Sequence, residues 1–127
     1  MHHSRLCALV IDCKHQDIKA DTLFWSGALG KPVVSFDEDG DGKYAELATS
    51  ADELKVLLQR VDHEPRVHLD IETDDLEAEA ARLEKLGASR VAKVRDRWWV
   101  MQAPSGHRFC VVSRQRESFG PHLNTWD

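Results

Sequence analysis

Several features that would assign a function quickly are missing from this 127-residue chain. No stretch approaches the roughly 18 consecutive apolar residues that a membrane-spanning helix requires. The first residues, MHHSRLCALVID, lack the pattern of a signal peptide. The net charge is −5 with both signs mixed along the chain, whereas a nucleic-acid-binding surface needs a basic patch. These absences predict a cytoplasmic protein that binds neither nucleic acid nor a membrane.

Cysteine and glycine are also too sparse to define a site. The three cysteines, Cys7, Cys13 and Cys110, are an odd number without CxxC spacing, and each lies in an apolar, strand-like run. They are therefore expected to be reduced thiols buried as small hydrophobic side chains. No glycine-rich phosphate loop is present, and Gly30 and Gly87 are interpreted as helix stops.

What is present is an internal repeat. A shift of 58 residues places Val10 on His68 and Asp12 on Asp70. In each copy an alternating apolar segment leads through a polar turn into a helix that stops near glycine. The repeat predicts an α+β fold made of two βαβββ modules, whose concave mixed sheet encloses a shared cleft. A single domain is expected over residues 1–127, with modules at about 6–62 and 66–113 and a tail at 114–127.

Apolar periodicity predicts the elements of each module. The first module is expected to contain a strand at 6–13, a helix at 17–29, and strands at 33–36, 43–48 and 54–61. The second is expected to contain a strand at 66–72, a helix at 74–86, and strands at 90–94, 97–102 and 107–113. The apolar face of the first helix comprises Ile18, Ala20, Leu23, Phe24, Ala28 and Leu29.

Between two predicted strands, Asp37, Asp39 and Asp41 precede Gly42 as in the beginning of an EF-hand loop. Position twelve of that loop would be Ala48, where a calcium site needs a bidentate glutamate. The pattern therefore predicts a solvated hairpin turn.

Three segments together resemble a known family. They are FWSGALG, RVHLDIETDDLEAEAARLEKLGA and WWVMQAPSGHRFCVV. The chain resembles, over about residues 6–113, the glyoxalase-like branch of the vicinal oxygen chelate superfamily. That superfamily includes lactoylglutathione lyases, extradiol dioxygenases, methylmalonyl-CoA epimerases and antibiotic-resistance proteins. The resemblance implies the two-module fold, frequent pairing of protomers and, in many members, a divalent metal held by four side chains.

Position by position, the metal site of the family is not reproduced. The resemblance places its four ligand positions at Val10, His68 and Cys110, and near Gln59. One imidazole, one amide, one thiol and one valine do not make a hard, oxygen-rich site. We therefore expect no metal and no cofactor.

Two kinds of polar candidate remain on the opening strands. His68 lies on the polar face of its strand, where it can bind substrate, act as a general base, ligate a metal or play a structural part. Asp12 and Asp70 occupy equivalent positions and are expected to face one cavity, where close carboxylates can divide acid and base roles. Alternatively, each carboxylate caps a strand end or pairs with an arginine.

The candidate ligand-binding set is His68, Asp12, Asp70, Gln59, Trp25, Trp98, Trp99 and Cys110. Because Trp98 and Trp99 are adjacent in a strand, one should face the core and the other the cleft. The cleft-facing ring, with Trp25 or Phe109 nearby, can stack on a flat ligand. Cys110 has no neighbouring base in the sequence and is expected to be inert.

Three functions remain open. The first is metal-independent binding of a small, partly aromatic or amphipathic molecule. The second is a metal-dependent lyase, isomerase or dioxygenase reaction that uses His68. The third is a structural or regulatory module with a vestigial cleft. A homodimer with Trp126 or Phe119 at the contact is also expected, unless the tail folds over its own cleft as a lid.

Overall fold

The structure is a computed structural model that describes residues 1–14, 17–36, 42–116, 119 and 122–127. Within these residues it contains two helices and nine strands. The helices are α1 (Ile18–Leu29) and α2 (Leu76–Lys85). The strands are β1 (His2–Cys13), β2 (Val33–Phe36), β3 (Tyr44–Leu47), β4 (Lys55–Arg60), β5 (Arg66–Thr73), β6 (Ser89–Val94), β7 (Trp98–Gln102), β8 (Arg108–Ser113) and β9 (Asn124–Trp126).

The nine strands belong to one mixed sheet with the order β2-β3-β4-β1-β5-β8-β7-β6, and β9 pairs with β1. The predicted α+β class and the order βαβββ, twice, are confirmed. The three aspartates of the predicted hairpin turn lie outside the described residues. No helix in the described part of the chain is long and apolar enough to cross a membrane.

The chain divides into two compact units. The α1 unit comprises Ala8–Val67, and the α2 unit comprises Met1–Cys7 together with His68–Asp127. Strand β1 contributes its first half to the α2 unit and its second half to the α1 unit. The predicted tail at 114–127 thus falls in the same unit as the second module.

In the α1 unit the strand order is β2-β3-β4-β1, with β4 parallel to β1 and the other pairs antiparallel. Alternation along each strand sends one set of side chains into the core. That set is Ile11, Cys13, Ala45, Leu47, Val56 and Leu58, and Ile18 of α1 joins it. The side chain of Asp17 caps α1 by accepting a hydrogen bond from the Lys19 amide at 3.0 Å. Gly30 ends the helix with a φ of 67°, which glycine adopts without strain.

The buried face of α1 differs from the predicted apolar face. Ile18 and Thr22 are buried and Trp25 packs against the core, whereas Leu23 is 66% exposed and Phe24 63% exposed. Apolar residues occupy most of the circumference of this helix, so periodicity alone does not select a face. Thr22 can be buried because its hydroxyl donates to the Ile18 carbonyl at 2.6 Å.

In the α2 unit the order is β1-β5-β8-β7-β6, with β5 and β8 parallel. The core consists of Ala80, Leu83, Met101 and Val111. Asp75 is the N-cap of α2 and accepts a hydrogen bond from the Ala78 amide at 3.0 Å. The predicted cap, Asp74, instead accepts from the amide and the imidazole of His3 at 2.8 and 2.7 Å. The helix therefore begins one residue later than its capping-box pattern predicts.

The tail contains a strand that periodicity did not predict. Strand β9 pairs antiparallel with His2–Ser4, and β1 accordingly begins at His2 instead of residue 6. The indole of Trp126 donates to the Ser4 hydroxyl at 2.8 Å, and the guanidinium of Arg82 lies 3.8 Å from its ring centroid. Both contacts fall within the α2 unit.

The early part of β1 is polar because its partners are polar. Glu79 of α2 is fully buried and accepts hydrogen bonds at 2.8 Å from His2 Nε2 and from two nitrogens of Arg82. Burial raises the pKa of Glu79, but hydrogen bonds from Arg82, His2 and Ser4 outweigh it, and the net shift is downward.

Candidate functional site

The alternation of β5, β7 and β8 sorts the candidate residues of the α2 unit onto two faces. Ile71, Trp99 and Val111 pack into the core beneath α2. Their chain neighbours therefore lie on the opposite face of the same strands. We call this surface the His68 face; its residues are His68, Asp70, Trp98, Val100 and Cys110.

Three of these side chains come together. His68 Nε2 lies 3.5 Å from Asp70 Oδ1. Cys110 is paired with Asp70 in the register of β5 and β8, and one ligand atom from each of the three residues lies within 4.8 Å of the others. The side chains of His68 and Asp70 are only 11% and 13% exposed. The sequence expectation that Cys110 has no base nearby is thus corrected by the parallel pairing of β5 with β8.

Within the described part of the chain, Asp70 Oδ1 is buried without a hydrogen-bond partner. At 3.5 Å, His68 is too distant for a strong hydrogen bond. A buried acceptor without a partner costs about 1–3 kcal/mol. This carboxylate is therefore poised to accept a hydrogen bond or to ligate a cation.

Asp12 belongs to the α1 unit and has basic neighbours there. Its carboxylate is 2% exposed and lies 3.8 Å from Arg66 Nε and 4.0 Å from His63 Nε2. This is the arginine-paired arrangement that the sequence left open as an alternative. That Asp12 and Asp70 share a cavity stays a prediction.

Gln59 and Val10 lie on neighbouring strands of the α1 unit. The amide nitrogen of Gln59 is 3.3 Å from the Tyr44 hydroxyl, to which it donates. Val10 is 3% exposed. A depression of about 390 Å³ in this unit is lined by Ser35, Phe36, Tyr44, Ala45, Glu46 and Leu57. None of these lining residues was a candidate from the sequence.

The tryptophans have different surroundings. Trp99 packs against the α2-unit core, and its ring centroid lies 4.8 Å from the guanidinium of Arg90 and 5.4 Å from the ammonium of Lys93. Trp25 packs against the α1-unit core and meets Phe24 edge to face at 5.1 Å. Of the three, Trp98 is the tryptophan that lies on the His68 face.

All three cysteines are free thiols, but only Cys110 has both a histidine and a carboxylate within reach. Burial, with smaller contributions from Asp21 and Asp12, raises the pKa of Cys13 to about 11. Cys7 is buried and its thiol donates to the Asp70 carbonyl at 3.4 Å. Cys110 is half-buried.

The order βαβββ, repeated, with parallel first and last strands in the second repeat, is that of the vicinal oxygen chelate superfamily. The chain belongs to the glyoxalase-like domain family, whose sequence profile matches residues 8–112. The resemblance noted in the sequence is thereby confirmed. No curated protein matches the chain at a comparable level.

Two solved structures illustrate the likeness. A hypothetical protein from Bacillus halodurans C-125 is 15% identical with a TM-score of 0.66, over 92% of this chain and 99% of that one. Methylmalonyl-CoA epimerase from Mycobacterium tuberculosis is 18% identical with a TM-score of 0.65, over 88% of this chain and 89% of that one. At these identities the likeness shows the fold alone.

The residues at the four ligand positions of the family do not fit its oxygen-rich metal site. Val10 offers no donor atom, and the amide nitrogen of Gln59 is already donated to Tyr44. His68 and Cys110 offer a nitrogen and a sulfur, which suit softer ions than magnesium or calcium.

Proposed function

We propose that the protein binds a small molecule on the His68 face. The observation that carries this proposal is the buried Asp70 Oδ1, which has no hydrogen-bond partner among the described residues. A ligand that donates a hydrogen bond to it removes an energetic cost that the protein otherwise bears. His68 lies beside the carboxylate and supplies a second polar contact.

The same face supports a flat or amphipathic ligand. Trp98 and Val100 lie on it next to the polar pair, so a ring can pack on the indole while a polar group reaches Asp70. Polar groups that converge at the edge of an apolar surface are typical of small-molecule sites. Such binding does not depend on a metal at the four family positions.

Ligand screening by thermal shift, followed by titration, tests this proposal. Replacing Asp70 with Asn should weaken binding of a hit by roughly 10- to 150-fold, the equivalent of one charged hydrogen bond. His68→Ala and Trp98→Ala should also weaken it. The control is His107→Ala, an exposed histidine in the turn before β8. Hits that bind all four variants as tightly as the wild type would overturn the proposal.

A second candidate function is metal-dependent lyase, isomerase or dioxygenase chemistry. Proximity of His68, Asp70 and Cys110 favours it, as does likeness to a methylmalonyl-CoA epimerase. This candidate predicts a turnover that chelators abolish and that a divalent ion restores. Binding that persists in the presence of a chelator supports the first function instead.

We further propose a cytoplasmic homodimer. Three free cysteines are typical of a reducing compartment, and closed two-fold dimers are the commonest soluble assembly. The predicted contact through Trp126 or Phe119 competes with packing inside the α2 unit, where Phe119 lies 6.5 Å from the His3 ring. Light scattering of the full chain at tens of micromolar checks the assembly. A monomer there refutes the dimer, and a dimer that persists in Trp126→Ala refutes the contact at that ring.

A further inference from the structure

The atoms of the His68–Asp70–Cys110 cluster are spaced like the ligands of a tetrahedral ion. Zinc binds nitrogen and oxygen ligands at about 2.0–2.1 Å, so two such ligands are separated by roughly 3.3 Å. His68 Nε2 and Asp70 Oδ1 are 3.5 Å apart. A sulfur at about 2.3 Å from zinc would be roughly 3.5 Å from each, and the three atoms already lie within 4.8 Å of one another.

A second observation also points to a cation. Asp70 Oδ1 is buried and has no hydrogen-bond partner among the described residues. The carboxylate and the thiol are carried by adjacent parallel strands in fixed register, Asp70 opposite Cys110. An ion bound between them would satisfy the carboxylate oxygen with little movement of the backbone.

We infer that His68, Asp70 and Cys110 bind a zinc ion in a site contained within the α2 unit. Thiolate and imidazole together select zinc over magnesium or calcium, which prefer oxygen ligands. Three protein ligands leave a fourth position open, as in catalytic zinc sites. On the His68 face, that position would accept an anionic or thiol group of a ligand.

This site differs from the four-residue site implied by the family resemblance. It uses Asp70, which is not one of the four positions, and it takes nothing from Val10 or Gln59. The expectation of a metal-free protein counted only the four positions, so the zinc inference replaces it. Zinc binding can be measured without any small molecule, and it therefore stands or falls separately from the proposed ligand.

The test uses the full chain, freed of metal by a chelator and titrated with Zn²⁺ alone against a chromophoric competitor. One zinc per chain is expected. Cys110→Ser and Asp70→Asn should each weaken binding by more than about 100-fold, since even residues that only support a ligand contribute 10- to 100-fold. Cys13→Ala and His107→Ala are the matched controls and should bind as the wild type does.

Cobalt provides a readout that does not depend on the variants. With Co²⁺ in place of zinc, the wild type should show the visible bands of tetrahedral cobalt and a thiolate-to-cobalt charge-transfer band in the near ultraviolet. If Cys110→Ser does not fold, as judged by circular dichroism, this spectrum decides the question. A spectrum without the thiolate band overturns the inference, as does zinc binding that survives Cys110→Ser and Asp70→Asn.

Discussion

Removing Arg5 should destabilise the protein strongly. Arg5 Nε donates to Glu72 Oε1 at 2.8 Å, and the two side chains are 7% and 0% exposed. The other carboxylate oxygen of Glu72 accepts from the Gln115 amide at 2.9 Å. Arg5→Met keeps much of the apolar stem but leaves the buried carboxylate without its ion-pair partner.

The expected loss is about 3–5 kcal/mol, the usual result of breaking a buried ion pair from one side. Against a typical unfolding free energy of about 5–15 kcal/mol, this is a large fraction. It corresponds to a decrease in Tm of roughly 10–20 °C for a domain of this size. The double variant Arg5→Met/Glu72→Leu should recover most of the loss, because an apolar pair avoids the cost of an unpaired buried charge.

Urea denaturation followed by tryptophan fluorescence measures these free energies. The matched control is Lys14→Met, which removes the cation from a pair with Glu64 whose side chains are 48% and 83% exposed. We expect it to cost less than about 1 kcal/mol. If Arg5→Met costs no more than this control, the buried pairing does not contribute as its geometry implies.

Three further outcomes are expected. Because the folded-state pKa of Glu79 is lowered from 4.5, its ionised form stabilises the fold above pH 4.5; Glu79→Gln should be less stable than the wild type there, with the difference shrinking as the pH falls further. A difference that grows in acid would reverse the sign of this argument. Trp126→Ala should lower the unfolding free energy by about 1–3 kcal/mol through lost contacts with Arg82 and Ser4, and an unchanged urea midpoint would mean that β9 is not docked. Since the pKa of Cys13 is raised to about 11, iodoacetamide at pH 8 should label Cys110 well before Cys13, and mass spectrometry showing equal rates would contradict this.

The sequence alone determined the class of the fold. Hydrophobic periodicity, helix stops at Gly30 and Gly87, and the 58-residue repeat are local or regular signals. They predicted the order of helices and strands because each depends on the spacing of residues within one short segment. The resemblance carried by RVHLDIETDDLEAEAARLEKLGA added the superfamily, which the family match over residues 8–112 confirms.

Local signals were not enough at both ends of the chain. His2 to Ser4 are polar, yet they form part of a buried strand because Glu79 and Trp126, far away in sequence, provide hydrogen bonds. Likewise, α1 has apolar residues on several faces, so only the packed core decided that Thr22 is buried and Phe24 exposed. No periodicity encodes such choices, since they depend on partners brought close by folding.

The candidate site shows the same division. The sequence identified His68, Asp70 and Cys110 as separate candidates on two strands. Only the parallel register of β5 and β8 placed Cys110 opposite Asp70 and within 4.8 Å of the other two ligand atoms. Strand alternation predicted that Trp98 and Trp99 face opposite sides, but the position of α2 decided that Trp99 is the one in the core. A side-chain cluster is a property of strand pairing, and strand pairing is fixed by tertiary structure.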